Sequence, residues 1–573
     1  MIEKEKKFLG RHVVAVNPIV SEDFADLLVP IKSLQDFGTG YYSTNINHNY
    51  AILNIPVSEI TPCSLGTYCY CEFPGCYTLQ SYSVFEETGI TRVQINPNFD
   101  LYGEGVLIGI VDTGIDYLHD AFINEDDTTR IVSIWDQTLD GFGTPPTGIT
   151  YGTEFTREMI NDALKSQTPL DVVPTFDGNG HGTMIAGIVA GRPNQESGFS
   201  GVVPRSELVV VKLKEAKRIT KEVFSIREAA LCYQETDIMM GVRYLETVAT
   251  ELNRPLVICI ALGTNQGGHD GHTPLSRYLN QFQSRVGRFV TVAAGNEGNS
   301  KRHYSGTINV ESQYTEFEFV VGKEDKNFFI EIWHINPERL GIELTSPSGE
   351  RVNRINPGNN ECVRKGFVFE TTQLTVNNIL AEQITGNQLI LLRFANTLEG
   401  IWKIRLYNID ATYVQFNAWM PSGDIISNNT YFIMSDPSTT ITDPGNTEDV
   451  LTITAYQLSN GGIWEEAGRG FTRFNYAKPD LAAPGVNIPC PVVGNRYSVM
   501  TGTGAASAVV TGIVAMVLEW SIVKRRTRNL NGKEIKAYLL RGARRTPGME
   551  YPNDIWGYGK VDIYEMFQKL SDI

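Results

Sequence analysis

Residues 106–116 read VLIGIVDTGID, an unbroken apolar run that stops on an acid, Asp112, followed by a Thr-Gly turn. A stretch of β-branched residues and leucine without polar alternation is the pattern of a parallel strand buried on both faces. Toward the C-terminus, Asp237 to Leu252 predicts a helix, because Ile238, Val242, Leu245, Ala249 and Leu252 recur at alternating four- and three-residue spacing. Two more continuous apolar strands follow, Leu256 to Leu262 and Phe289 to Ala294, and the same texture resumes at Val450 to Ala455. The longest apolar run, Ala505 to Leu518, contains Ser, Thr and Gly and predicts a buried helix rather than a membrane span. Helices alternating with such strands imply a doubly wound α/β sheet, whose ligand site lies outside the carboxyl ends of its strands.

The flanking segments have other textures. From about 303 to 432 the strands alternate, as in Phe317, Phe319 and Val321 or Trp402, Ile404 and Leu406, with turn signals such as Ser346-Pro347-Ser348-Gly349 between them. This predicts an inserted all-β sandwich. Residues 1–84 read as a separate α+β unit of short strands and polar loops, for example His48 to Pro56. With 573 residues, 42% of them hydrophobic and 20% charged, the chain can bury a large core in several domains. A net charge of −16 offers no attraction for phosphate backbones or anionic lipid, so neither nucleic acid nor membrane is expected as a partner. The basic run Lys524, Arg525, Arg526, Arg528 reads as a helix end complementing its dipole. The start, MIEKEKKFLG, puts charges where a secretory signal needs an apolar stretch, and eight cysteines show no disulfide framework, so an intracellular location is expected. Cys63, Cys69, Cys71 and Cys76 cluster, but without a CxxC knuckle or a nearby histidine they read as free thiols rather than zinc ligands.

Three Gly-rich segments stand at strand ends or helix starts: Asp112-Thr113-Gly114, Gly180-His181-Gly182-Thr183, and Gly295-Asn296-Glu297-Gly298. A carboxylate that orients an imidazole, the imidazole as general base, and an amide donor are parts of serine acyl transfer. The segments IVDTGID (110–116), HGTMIAG (181–187), AAGNEG (293–298), KPDLAAPG (478–485) and TGTGAASA (501–508), in this order, resemble the subtilase family, peptidase family S8. The resemblance covers about 85–302 and 433–573. It implies a subtilisin-like fold in which Asp112 and His181 form the charge-relay pair, Asn296 is the oxyanion donor, and Ala261, Leu262 and Gly263 line the substrate cleft. It departs from the family at one place. Where the family motif has the nucleophilic serine, this chain has Gly504, which carries no side chain. Thr503 is rotated by about 100° on a helical turn and Ser507 lies roughly 4.5 Å along the axis, so neither is expected to replace it. His269, Asp270 and His272 look by composition like a metal site; by the resemblance their loop belongs to the cleft wall, and no metal or other cofactor is expected.

Long gaps from Asp112 to His181 and from Asn296 to Gly504, together with the N-terminal unit, resemble the Csp group of clostridial germination subtilases. That resemblance implies a prodomain at 1–84, a subtilase domain at 85–302 and 433–573, and a jelly-roll insertion at 303–432. Some members of the group activate a cortex-lytic hydrolase zymogen; others are pseudoproteases that regulate germination. Gly504 places this chain with the second kind. The alternative is an active zymogen-activating endopeptidase in which glycine has been put in place of serine. Expected partners are a peptide-like ligand, the chain's own prodomain held uncut in the cleft near Leu79 to Phe85, sibling subtilases and a hydrolase zymogen, in the spore.

Overall fold

The computed structural model describes residues 18, 21, 23–38, 40–45, 50–60, 84–358, 362–527 and 530–571. By internal contacts the chain divides into two compact units, Met1–Ser81 and Tyr82–Ile573. In the first, Phe24–Pro30, Tyr50–Pro56 and Tyr42–Asn45 form a three-stranded antiparallel sheet with Tyr50–Pro56 in the middle. Leu27, Val29, Ala51, Leu53 and Ile55 alternate inward and make its small core. The cysteine cluster at 63–76 and the junction at 79–83 lie outside the described residues, as does Arg528 of the basic run.

In the second unit, an eight-stranded sheet runs in the order Leu481–Pro484, Leu451–Tyr456, Arg288–Ala293, Leu256–Ile260, Leu107–Asp112, Glu207–Lys212, Ile131–Asp136, Thr153–Thr156. The apolar run that predicted a central strand is Leu107–Asp112, buried at all six residues. It pairs in parallel with Glu207–Lys212 on one side and Leu256–Ile260 on the other, so the strand order reverses beside it. The sheet is mixed rather than wholly parallel: the edge strand Thr153–Thr156 returns antiparallel to Ile131–Asp136. A parallel return needs a crossover element, and no helix is formed between these two strands.

Two helices run from the site into the core. His181–Ala190 is packed so closely that eight of its ten residues are buried, and Thr503–Leu518 is buried at every residue, a core helix of the sheet rather than a surface one. Both belong to the same apolar cluster as the strand bearing Asp112. The predicted helix at 237–252 is Glu235–Glu251; Leu252 sits at its C-cap, 44% exposed, where helical periodicity no longer applies. The predicted strand 256–262 stops at Ile260, and Ala261 to Gly263 follow it without sheet pairing.

Between His303 and Phe432 two antiparallel sheets, of six and five strands, face each other. Their strands alternate as the sequence implies; Gln388–Ala395 is buried at every second residue. Phe317, Phe319, Trp402 and Ile404 from one sheet meet Phe328, Ile332, Leu392 and Phe394 from the other in one core.

Candidate active site

Asp112 ends its strand at the strand-order reversal and is 1% exposed. Its Oδ1 accepts from the Thr113 amide at 2.8 Å and lies 2.7 Å from His181 Nδ1. His181 opens its helix after Gly180, whose φ of +91° is a left-handed turn that a glycine adopts without strain. The next residue must also be glycine: a Cβ on Gly182 would stand 2.2 Å from the Gly114 carbonyl oxygen. This closeness of helix to strand end is what brings the imidazole onto the carboxylate.

Sequence reasoning missed the residue that holds the two loops together. Asp177, 3% exposed, accepts through Oδ1 from Thr113 Oγ1 and the Gly180 amide, both at 2.8 Å. Its Oδ2 accepts from the Thr183 amide and Oγ1 at 2.9 and 2.7 Å. Thr113 Oγ1 in turn accepts from the Gly182 amide at 2.9 Å. The available signal was an acid a few residues ahead of a helix start, DGNGHGT, where orphan amides need an acceptor. Burial disfavours the charged imidazolium of His181, but the Asp112 charge and hydrogen bond and the Asp177 charge outweigh it and raise the pKa above its ordinary 6.5.

Gly504 is the second residue of the helix Thr503–Leu518, after an N-cap Gly502 with φ +147°. A Cβ on Gly504 would lie 3.3 Å from Ala261 Cβ and 3.6 Å from Ile185 Cδ1 and Met500 Cε, so it would point between the helix of His181 and the end of strand Leu256–Ile260. Nothing in its backbone demands glycine, since it is not among the positive-φ residues. Asn296 is exposed, and its Oδ1 accepts from the Thr503 amide at 3.1 Å and Thr503 Oγ1 at 2.9 Å. That leaves Nδ2 as its outward donor, on the side of Gly502, whose Cβ would lie 3.4 Å from it.

The neighbouring hydroxyls are committed elsewhere. Thr503 Oγ1 also accepts from the Gly295 amide at 3.1 Å. Ser507, fully buried, donates to the Gly504 carbonyl at 2.8 Å and lies 3.7 Å from Cys259 Sγ. Ala261 and Leu262 are half-buried and Gly263 is exposed. The chemistry offered is a carboxylate-oriented imidazole and an amide donor with no hydroxyl or thiol side chain at residue 504.

His269 is not on an open wall. It is fully buried, its ring stacked on Trp419 at 4.1 Å, with Nδ1 2.9 Å from the Ile441 carbonyl; burial, against those hydrogen bonds, pushes its pKa down to about 3. Asp270 is taken by Arg473, at 2.9 Å, and His272 lies 3.4 Å from it on the outside. The loop turns inward because the sandwich covers it, a contact that lies far away in sequence. Among the described residues no group of three or more His, Cys, Asp or Glu is placed to hold a metal ion.

The family model described as "Subtilase family" matches residues 103–365 and 427–559. The structure of the Clostridium perfringens CspB protease superposes with a TM-score of 0.75 at 29% identity, covering 86% of this chain and 98% of that one. Serine protease AprX of Bacillus subtilis is 31% identical over 145 residues, which are 22% of this chain and 31% of AprX. Subtilisin-like protease SBT2.3 of Arabidopsis thaliana is 23% identical over 494 residues, 73% of this chain and 56% of that protein. The chain thus spans between about a third and just over half of these two curated relatives.

Proposed function

The chain belongs to the subtilase family, and we propose that it is a pseudoprotease of that family, one that binds a polypeptide without cutting it and regulates a proteolytic cascade such as spore germination. The observation that carries this reading is Gly504. Asp112 and His181 are hydrogen-bonded and Asn296 is held by Thr503, yet position 504 has no side-chain atom to be activated. Removing the nucleophile of a serine protease alone costs on the order of 10⁶-fold in kcat, because no acyl-enzyme can form. Neither Thr503 nor Ser507 has a hydroxyl to spare.

In this reading residues 1–84 are a prodomain retained uncut, which serves as the chain's own cleft ligand, and 303–432 is a jelly-roll domain inserted in the subtilase domain 85–302 and 433–573. Binding partners are sibling subtilases and a cortex-lytic hydrolase zymogen, inside the spore. The likeness to the CspB protease supports the choice of branch. A second reading is favoured by the space at residue 504. A Cβ there meets nothing closer than 3.3 Å, so the scaffold accepts a serine with a shift of a few tenths of an ångström and is an endopeptidase silenced at that residue.

Intact mass under denaturing conditions, for the chain and its Gly504→Ser form, separates the two. A parent that stays whole beside a serine form that splits near residue 80 supports the silenced protease. If both stay whole, the pseudoprotease reading stands. A parent that splits without added protease refutes both.

A further inference from the structure

The sandwich ends in two open strand edges on the same side. Arg351–Ile355 is the last strand of the five-stranded sheet, and Cys362–Gly366 is the last of the six-stranded one, at the opposite edge from His303–Ile308. The first is fastened at both ends to the hairpin that contains the second. Glu350 accepts from the Val368 and Phe369 amides at 2.9 and 2.8 Å, and the Ile355 carbonyl accepts from Asn378 Nδ2 at 3.3 Å. Cys362–Gly366 pairs on one side with Gln373–Ile379, and among the described residues its backbone makes no other hydrogen bond. A free edge of this kind offers its outer amides and carbonyls to any extended chain that the side chains admit.

The side chains here admit one kind. Arg351, Arg354, Arg364 and Lys365 are all exposed, in a chain whose net charge is −16. Glu350 and Glu370, the described carboxylates of residues 350–372, are bound within the hairpin tips, Glu350 to the two amides and Glu370 to the hydroxyls of Ser348 and Thr372 at 2.9 and 2.6 Å. Past Gly366 the hairpin turns through Val368 and Phe369, 83% and 80% exposed. Glu350 fixes their backbone, and Phe367 behind them packs edge-on against Trp402 at 5.5 Å, so two adjacent apolar side chains are held out in water on a braced tip.

We propose that this edge docks an extended acidic segment of a partner protein. The segment adds a strand beside Cys362–Gly366, sets carboxylates against Arg364 and Lys365, and lays apolar side chains on Val368 and Phe369. A second copy of this chain is disfavoured, because two such edges would set Arg364 and Lys365 against their own kind. An anionic lipid surface would meet the cations and the tip but has no amides to pair with the strand. The inference does not involve residue 504 and is independent of the proposed function.

The probe is a fluorescein-labelled octapeptide alternating glutamate and valine, followed by fluorescence anisotropy on the full chain at low ionic strength. It is expected to bind saturably; Arg364→Glu/Lys365→Glu should weaken it roughly tenfold or more, and Val368→Ser/Phe369→Ser roughly threefold. The same peptide methylated at every amide should not bind. No saturable binding, equal binding by the methylated peptide or by a lysine–valine octapeptide, or binding that the Arg364 and Lys365 changes leave intact, as a peptide lodged in the cleft would be, overturns the proposal. Hydrogen exchange locates the contact without any substitution: the amides of 362–366 should slow when the glutamate–valine peptide is added, and slowing confined to other segments overturns it. Phosphatidylserine vesicles that sediment the parent but not Val368→Ser/Phe369→Ser would make this a lipid face and overturn it as well.

Discussion

At the scale of single residues, the electrostatics of His181 can be tested without any catalysis. Its imidazolium is disfavoured by burial and favoured more strongly by Asp112, 2.7 Å away, and by Asp177. A histidine whose folded pKa is raised binds its proton more tightly in the fold. The pair therefore adds stability that is complete below the ordinary value of 6.5 and fades as pH rises through the folded midpoint. An NMR titration of the parent should place the His181 midpoint above 6.5, and Asp112→Asn should bring it below, since burial then acts with little opposition. A midpoint unmoved by Asp112→Asn would contradict this balance. If Gly504→Ser restores turnover, its acid limb should sit at the same raised midpoint, because only neutral imidazole accepts the hydroxyl proton.

At the scale of elements, the site depends on two close approaches that only glycine permits. Gly182 lets the helix His181–Ala190 meet the loop at Gly114, and Gly187 lets it meet Pro491, whose Cγ would lie 2.0 Å from an added Cβ. Gly182→Ala should push the helix away from Asp112, costing roughly 1–3 kcal/mol in urea denaturation and abolishing the low-field proton signal of the Asp112–His181 hydrogen bond. Gly504→Ala, with contacts of 3.3 to 3.6 Å, should cost under about 1 kcal/mol. Similar losses for the two variants would mean that closeness of approach does not govern these positions. The strand that ends on Asp112 and the one that leads to Asn296 were legible because strands buried on both faces write continuous apolar runs, and the long core helix was legible for the same reason. Thr153–Thr156 was hidden as a strand edge because four residues of half-buried pattern carry too little periodicity to show direction. Asp177 and the inward turn of His269 were illegible because their roles come from loops meeting across the fold, 64 and 172 positions away in sequence.

At the scale of the molecule, the sandwich is welded to the sheet by buried polar groups, and that junction sets a pH dependence. Trp419 lies between His269 and His303, at 4.1 and 4.9 Å. Glu331 accepts from the Gly267 amide at 3.0 Å, and the buried pair Glu297–Arg302, at 3.2 Å, ties the residue after Asn296 to the loop at Gly423. The segment after Asn296 is thus tied directly to the sandwich side of the junction. Asp443 lies under this junction, 3% exposed. Burial pushes its carboxyl from the ordinary 3.8 up to about 8; Asn446 opposes the shift, while Asp270 and Glu235 add to it. A carboxyl with a raised folded pKa keeps its proton in the fold and loses it on unfolding, so folding binds a proton between about pH 4 and 8 and stability falls as pH rises across that interval. Asp443→Asn removes the ionisable group while keeping the shape, and Glu331, raised by burial, contributes in both forms. Burial holds His269 neutral and so adds stability in both forms as pH rises toward 6.5, and urea melts at pH 5, 6, 7 and 8 should therefore show the stability of the asparagine form relative to the parent rising steadily toward pH 8. Parallel profiles would mean that Asp443 is already ionised in the fold, with its charge met by a group or solvent that the buried geometry leaves no room for.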